Sequence, residues 1–106
     1  MAPATADPTA DVSEVMRAVA DPVRCQILRL LAAQSLCVCH LQDALGIKQT
    51  LVSHHLRALR GAGLVDTEPC GRFTYYSLRP GAFEAVRHLL EELATASRAD
   101  LPRRPC

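Results

Sequence analysis

The chain has 106 residues, 49% of them hydrophobic, which is enough for one small domain with a compact core but not for a large one. With no Trp, two Tyr and two Phe, that core is drawn from Leu, Val, Ile and Ala, a set that suits packed helices better than stacked sheets. A formal net charge of +1 excludes a uniformly basic molecule, and no run approaches the roughly twenty apolar residues of a membrane span.

Residues 1–10, rich in Ala, Pro and Thr, lack apolar periodicity and are expected to form a disordered tail; they also lack the charged-then-apolar order of a secretion signal. A cytoplasmic location is therefore expected. The folded domain is assigned to 11–97. Ser13 and Glu14 read as a helix start, with Val15, Met16 and Val19 as its apolar stripe. Asp21-Pro22 ends that helix and opens the next, because Asp caps and Pro is tolerated at the first helical position. Val23, Ile27, Leu30 and Leu31 then recur at helical spacing, with Cys25 and Leu28 widening the stripe.

Ser35 is the predicted cap of a third helix over 36–45, ended at Gly46. A fourth follows from Gln49 to Leu59, burying Val52, Leu56 and Leu59 and closing at Gly61 and Gly63. Two short helices joined at Gly46 make a helix-turn-helix. Residues 64–68 and 73–78 read as two strands, with 69–72 as the turn of a hairpin wing. Pro80 is expected to open a last helix, whose stripe of Phe83, Val86, Leu89, Leu90 and Leu93 is wider than one small domain needs. The tail 98–106 is expected to be flexible. The fold class is thus mainly α with a β-hairpin wing, a winged helix-turn-helix dimerising through its terminal helices.

Charge is unevenly spread. Lys48, Arg57, Arg60, Arg72 and Arg79 face only Asp66 and Glu68 in the middle of the chain, whereas acids gather toward both ends. Five cysteines, an odd number, are a poor disulfide framework in a reducing compartment, so metal binding or redox chemistry is the alternative. No nucleophile, base and orienting group are legible together and no Gly-rich phosphate loop is present, which argues against an enzyme.

Several ordered blocks now stand together: Ala20-Asp21-Pro22-Val23-Arg24-Cys25-Gln26-Ile27-Leu28, Leu36-Cys37-Val38-Cys39-His40-Leu41, Val52-Ser53-His54-His55-Leu56-Arg57-Ala58-Leu59, Gly63-Leu64-Val65 and Gly71-Arg72-Phe73-Thr74-Tyr75-Tyr76. Across roughly 14–95 the chain resembles the ArsR/SmtB family of metal-sensing repressors, arsenite-responsive type. The resemblance implies a homodimer on a pseudo-palindromic, double-stranded operator, with no membrane partner. It places the recognition helix at 49–60. Lys48, Gln49, Thr50, Ser53, His54 and Arg57 are then the DNA-binding candidates, with Arg72 at the wing tip over a phosphate and Leu51 near a thymine methyl. The bland alternative is a solvated helix face. His55, between Val52 and Leu59, reads as a structural histidine.

Cys37 and Cys39 are the metal candidates, taking arsenite or antimonite as inducer. The arsenite-type pattern reads Cys-Val-Cys-Asp-Leu-Cys, whereas His40 and Gln42 stand here at its fourth and sixth positions, so its third thiolate is missing. Cadmium, lead or zinc with His40 as ligand is the first alternative, thiol redox sensing the second. Cys106 on the tail is a further candidate for the third ligand; Cys25 reads as core packing and Cys70 as an exposed wing residue. On a regular helix, side chains two apart diverge by ~200°, so the pair is expected to meet only if the helix start unwinds. A second family site on the last helix has Pro80, Ala82, Leu93 and Ala96 at its ligand places, none of which ligates a divalent ion; His88 with Glu91 and Glu92 reads as a solvated face.

Overall fold

The computed structural model describes residues 8–106, and side chains from Val12 onward. Helix α1 spans Pro8–Val19, so residues 8–10 of the expected tail form its first turn, while 1–7 lie outside the described residues. Its buried stripe is Val12, Val15 and Ala18, at spacing of three; Met16, assigned inward from sequence, is 43% exposed. Helix α2, Pro22–Leu31, starts as expected: the Asp21 carboxylate accepts from the N–H of Val23 at 2.8 Å and of Arg24 at 3.1 Å. These backbone donors, Arg24 first, hold the Asp21 carboxyl below the ordinary carboxylate range despite its opposing desolvation.

Ile27, Leu28 and Leu31 carry α2 into the core, whereas Cys25 is only half-buried at its edge. The Arg24 guanidinium turns back to donate to the carbonyls of Ala18 and Arg17 at the end of α1. A cation there meets the negative end of that helix and satisfies acceptors the helix cannot pair internally.

The expected helix over 36–45 is not continuous. Leu36–Cys37 is a short strand, β1, and helix α3 runs only from Val38 to Leu45. Cys37 is the N-cap, with extended backbone at φ −94° and ψ 172°, so Ser35 does not cap it. The physical reason is competition: the backbone of 36–37 pairs with a neighbouring strand, and only beyond it does the chain turn helical. Gly46 ends α3 at φ 66°, a left-handed conformation in which its N–H reaches the Gln42 carbonyl at 2.8 Å.

Helix α4, Gln49–Gly61, buries Val52, His55, Leu56 and Leu59 as its spacing predicts. The wing follows: β2, Val65–Cys70, pairs antiparallel with β3, Phe73–Leu78, from Val65 opposite Leu78 to Cys70 opposite Phe73. The turn is shorter than expected, Gly71 and Arg72 alone, with Gly71 at φ 63°. Strand order is β1-β3-β2, so Pro69 sits in an outer strand, where a missing N–H costs the ladder nothing.

Helix α5 begins at Glu84, not at Pro80, because Gly81 at φ 77° turns the chain first; it ends at Ala96. It packs on α1. The core proper lies between α2, α3, α4 and the base of the hairpin, where Ile27, Leu41, Val52, Leu59, Leu64 and Val65 have no solvent exposure.

Candidate nucleic-acid interface and metal centre

Helix α3 packs against α4, and the turn at Gly46 sets the angle between them. The outer face of α4 is thereby left largely exposed. Lys48 is its N-cap; Gln49, Thr50, His54 and Arg57 are exposed, Ser53 is half-buried between them, and Leu51 is 42% exposed. These positions fall on one side of the helix, opposite the buried Val52, Leu56 and Leu59. Arg72 is exposed at the hairpin tip. Among the described residues, no carboxylate pairs with Lys48, Arg57 or Arg72, whereas Arg79 is engaged by Asp66 at 2.8 Å. Three uncompensated cations thus bracket an exposed helix face, an arrangement suited to phosphates on either side of a groove.

His55 is 6% exposed, and its Nδ1 lies 3.4 Å from the Arg24 guanidinium, whose N–H donates if that nitrogen is unprotonated. The structural role read for His55 agrees with this position. Arg24 as its partner was missed, since nothing in the sequence links residues 31 positions apart.

The second cluster lies where β1 becomes α3. Cys37 Sγ and Cys39 Sγ are 2.7 Å apart, and Cys37 Sγ is 3.3 Å from His40 Nδ1. One donor atom from each of the three lies within 4.8 Å of the others, the one such group of three among the described residues. The expectation that the two sulfurs diverge on a helix is corrected here. Cys37 precedes the helix with extended backbone, so the helical angle between side chains two apart does not apply to this pair. No unwinding is needed to bring them together.

The same residues start the helix. His40 Nδ1 accepts from the Cys37 N–H at 3.1 Å, and the Cys37 sulfur faces the His40 N–H, a capping box with sulfur in the usual place of a hydroxyl. Burial works against the Cys37 thiolate, but the Cys39 thiol and the backbone N–H groups of the first turn outweigh it and hold its pKa below the ordinary thiol value. Cys39 moves the other way, raised first by its hydrogen bond to Cys37, then by desolvation and by the Cys37 charge. Of the two, Cys37 is thus the more readily ionised and Cys39 the one that more readily keeps its proton. Cys37 is 3% exposed, while Cys39 and His40 open to solvent and leave the cluster an entrance.

Two sulfurs and an imidazole nitrogen form a donor set that fits soft and borderline ions. His40 ligates through Nδ1 only by giving up the Cys37 N–H. Cys25, Cys70 and Cys106 are not brought to this cluster, and Cys70 and Cys106 are exposed elsewhere. On α5, Glu84 and Glu91 are engaged by Arg87, at 2.7 Å and 3.7 Å, beside His88.

A helix-turn-helix with a three-stranded wing defines the class of winged helix-turn-helix regulators. The profile described as the bacterial regulatory protein arsR family matches residues 21–67. The chain is 41% identical over 88 residues to the transcriptional repressor SmtB homolog of a Synechocystis species, covering 83% of this chain and 64% of that protein. It is 34% identical to the arsenic resistance transcriptional regulator ArsR1 of Pseudomonas putida, over 78% of this chain and 66% of that one. Among solved structures, it matches the homodimeric winged helix-turn-helix domain of a possible ArsR-family regulator from Mycobacterium bovis. That match has a TM-score of 0.64 and 30% identity, covering 100% of this chain and 98% of that one. The chain belongs to the ArsR family of bacterial regulatory proteins. It spans just under two thirds of the length of the Synechocystis and Pseudomonas relatives. No helix among the described residues is long and apolar enough to cross a membrane.

Proposed function

We propose that the protein is a dimeric, cytoplasmic transcriptional repressor that grips operator DNA through α4 and the wing and lets go when a soft ion occupies Cys37 and Cys39. The observation that carries the sensing half is the 2.7 Å contact between the two sulfurs, at the head of the helix that braces the recognition helix. Arsenite or antimonite is held by the two thiolates. Cadmium, lead or zinc forms the second reading, favoured by His40 Nδ1 at 3.3 Å from Cys37 Sγ, because a mixed sulfur and imidazole set suits those ions.

A mobility-shift titration of the protein on its own promoter with arsenite, antimonite, cadmium and zinc tests the proposal. At least one ion is expected to release DNA, and a competing dithiol to restore binding; release by peroxide in metal-free buffer would instead assign the cluster to oxidation. Changing His40 to Ala separates the two readings. Arsenite release is expected to survive it, and cadmium release to weaken by at least about tenfold in ion concentration, the cost typical of a lost orienting or ligating partner.

Gln49, Ser53, His54 and Arg57 are assigned to base edges and phosphates, and Lys48, Thr50 and Arg72 to the backbone. Arg57→Ala is expected to weaken operator binding by about 1–3 kcal/mol without loss of fold, read by fluorescence anisotropy against circular dichroism. Unchanged affinity in a folded variant removes Arg57 from the interface.

Dimerisation is assigned to α1 and α5. No residue of α5 is buried, and Leu90 and Leu93 are 48% and 57% exposed on a helix whose stripe also carries Val86 and Leu89. A two-fold dimer requires two related half-sites in the operator. Sedimentation at micromolar concentration is expected to give a single dimeric species, and a monomer there would defeat the assignment.

A further inference from the structure

The cluster touches the wing as well as the recognition helix. Cys37 is the last residue of β1, and its partner across the ladder is Tyr75 of β3. Residues directly opposite each other in an antiparallel pair project to the same face of the sheet, so Tyr75 lies over the cluster. A second contact is independent of the first: the His40 ring meets the Tyr75 ring edge-on, with centroids 5.8 Å apart at 61°. Tyr75 thus contacts two of the three candidate ligands, one through the backbone and one through the side chain.

Its other side faces the wing. Tyr75 is paired with Glu68 of β2, and two residues before it Phe73 closes the hairpin against Cys70, with Arg72 in the turn between them. We propose that Tyr75 is a positioning residue that transmits occupancy of the cluster to the wing, so that ion binding withdraws Arg72 from the DNA as well as disturbing α4. This rests on the repressor reading above.

Cys37 and Cys39 would hold the ion with His40 as a third donor, and a shift of Cys37 or His40 on binding falls at the junction of β1 and α3. Cys37 is buried and held in the ladder, and His40 surrenders the Cys37 N–H if it ligates. Both displacements fall on the two contacts that Tyr75 makes. The α3 to α4 route does not pass through Tyr75, since α3 packs on α4 directly. Removing the ring therefore cuts the His40 contact and leaves both the backbone pairing of residue 75 with Cys37 and the α3 to α4 route in place.

The test compares the full-length protein with Tyr75→Phe, Tyr75→Leu and Tyr75→Ala. Three quantities are measured: operator affinity without ion, operator affinity with saturating cadmium or arsenite, and ion affinity by competition with a chromophoric chelator. Tyr75→Phe, which keeps the ring, is expected to behave as the parent. Tyr75→Leu and Tyr75→Ala are expected to keep ion affinity and ion-free operator affinity within about threefold, while the factor by which ion lowers operator affinity shrinks at least about fivefold, the lower end of typical coupling between sites. Tyr75→Leu keeps apolar bulk in the sheet and serves where Tyr75→Ala does not fold. Parent-like release in a folded Tyr75→Leu protein, or equal loss in Tyr75→Phe, overturns the assignment while leaving the repressor reading intact. A parent protein that no ion releases defeats that reading and this one together.

Discussion

Cys37→Ser and Cys39→Ser proteins are each expected to bind operator within about twofold of the parent and to lose release by arsenite, antimonite and cadmium, because neither change removes a large buried contact. The structure makes these substitutions unusually clean. Cys37 is an N-cap whose sulfur faces the His40 N–H, and serine is a preferred residue at that place, so the helix start survives the change. Cys39 is exposed, and its hydroxyl analogue remains solvated. Serine oxygen is a poor ligand for soft ions at neutral pH, so sensing is lost where binding is not. Mobility shifts with and without ion measure both halves at once, and variants that stay fully inducible would move the sensor elsewhere in the molecule.

Leu41→Ala is expected to lower the unfolding free energy by about 2–5 kcal/mol, the usual cost of emptying a fully buried leucine site. Leu41 has no solvent exposure and belongs to the cluster that joins α2, α3 and α4. A loss of that size is a large fraction of the roughly 5–15 kcal/mol that holds a domain together. Urea titrations at matched protein concentration measure it as a shift in midpoint at constant slope, the concentration being fixed because any self-association would make stability depend on it. A loss below about 1 kcal/mol would mean that the site collapses around alanine and that Leu41 contributes little to joining α2, α3 and α4.

The parts legible from sequence are those with a long period or a strong punctuating residue. Asp21-Pro22 fixed the start of α2, and Gly46 marked the end of α3. The spacing of Val52, Leu56 and Leu59 predicted the buried face of α4, and with it the exposed side on which Gln49, His54 and Arg57 stand. What escaped was short or depended on distant partners. Strand β1 has two residues, too few to show alternation, and it exists because Tyr75 and Tyr76 lie alongside it. Missing it placed Cys37 inside a helix and led to the expectation that the two sulfurs diverge. The start of α5 was misplaced for a similar reason. Pro80 is a good first helical residue, but Gly81 next to it adopts a positive φ that no helix accommodates.

His40 shows how far a single sequence reaches at the site. Its proximity in the chain made it an alternative ligand, yet its hydrogen bond to the Cys37 N–H and its contact with Tyr75 needed coordinates. Arg24 and His55 are the same kind of case, since two ordinary positions on two helices become one polar contact only after folding.

Pro69 has a consequence for association. A three-stranded sheet ends in open edges, each a template on which another copy can add a strand. Pro69 is the next-to-last residue of β2, opposite Thr74, and offers no N–H to a newcomer. A strand approaching the wing from outside finds a gap in the row of donors beside the hairpin tip. Strand addition at the tip of the wing is thereby discouraged.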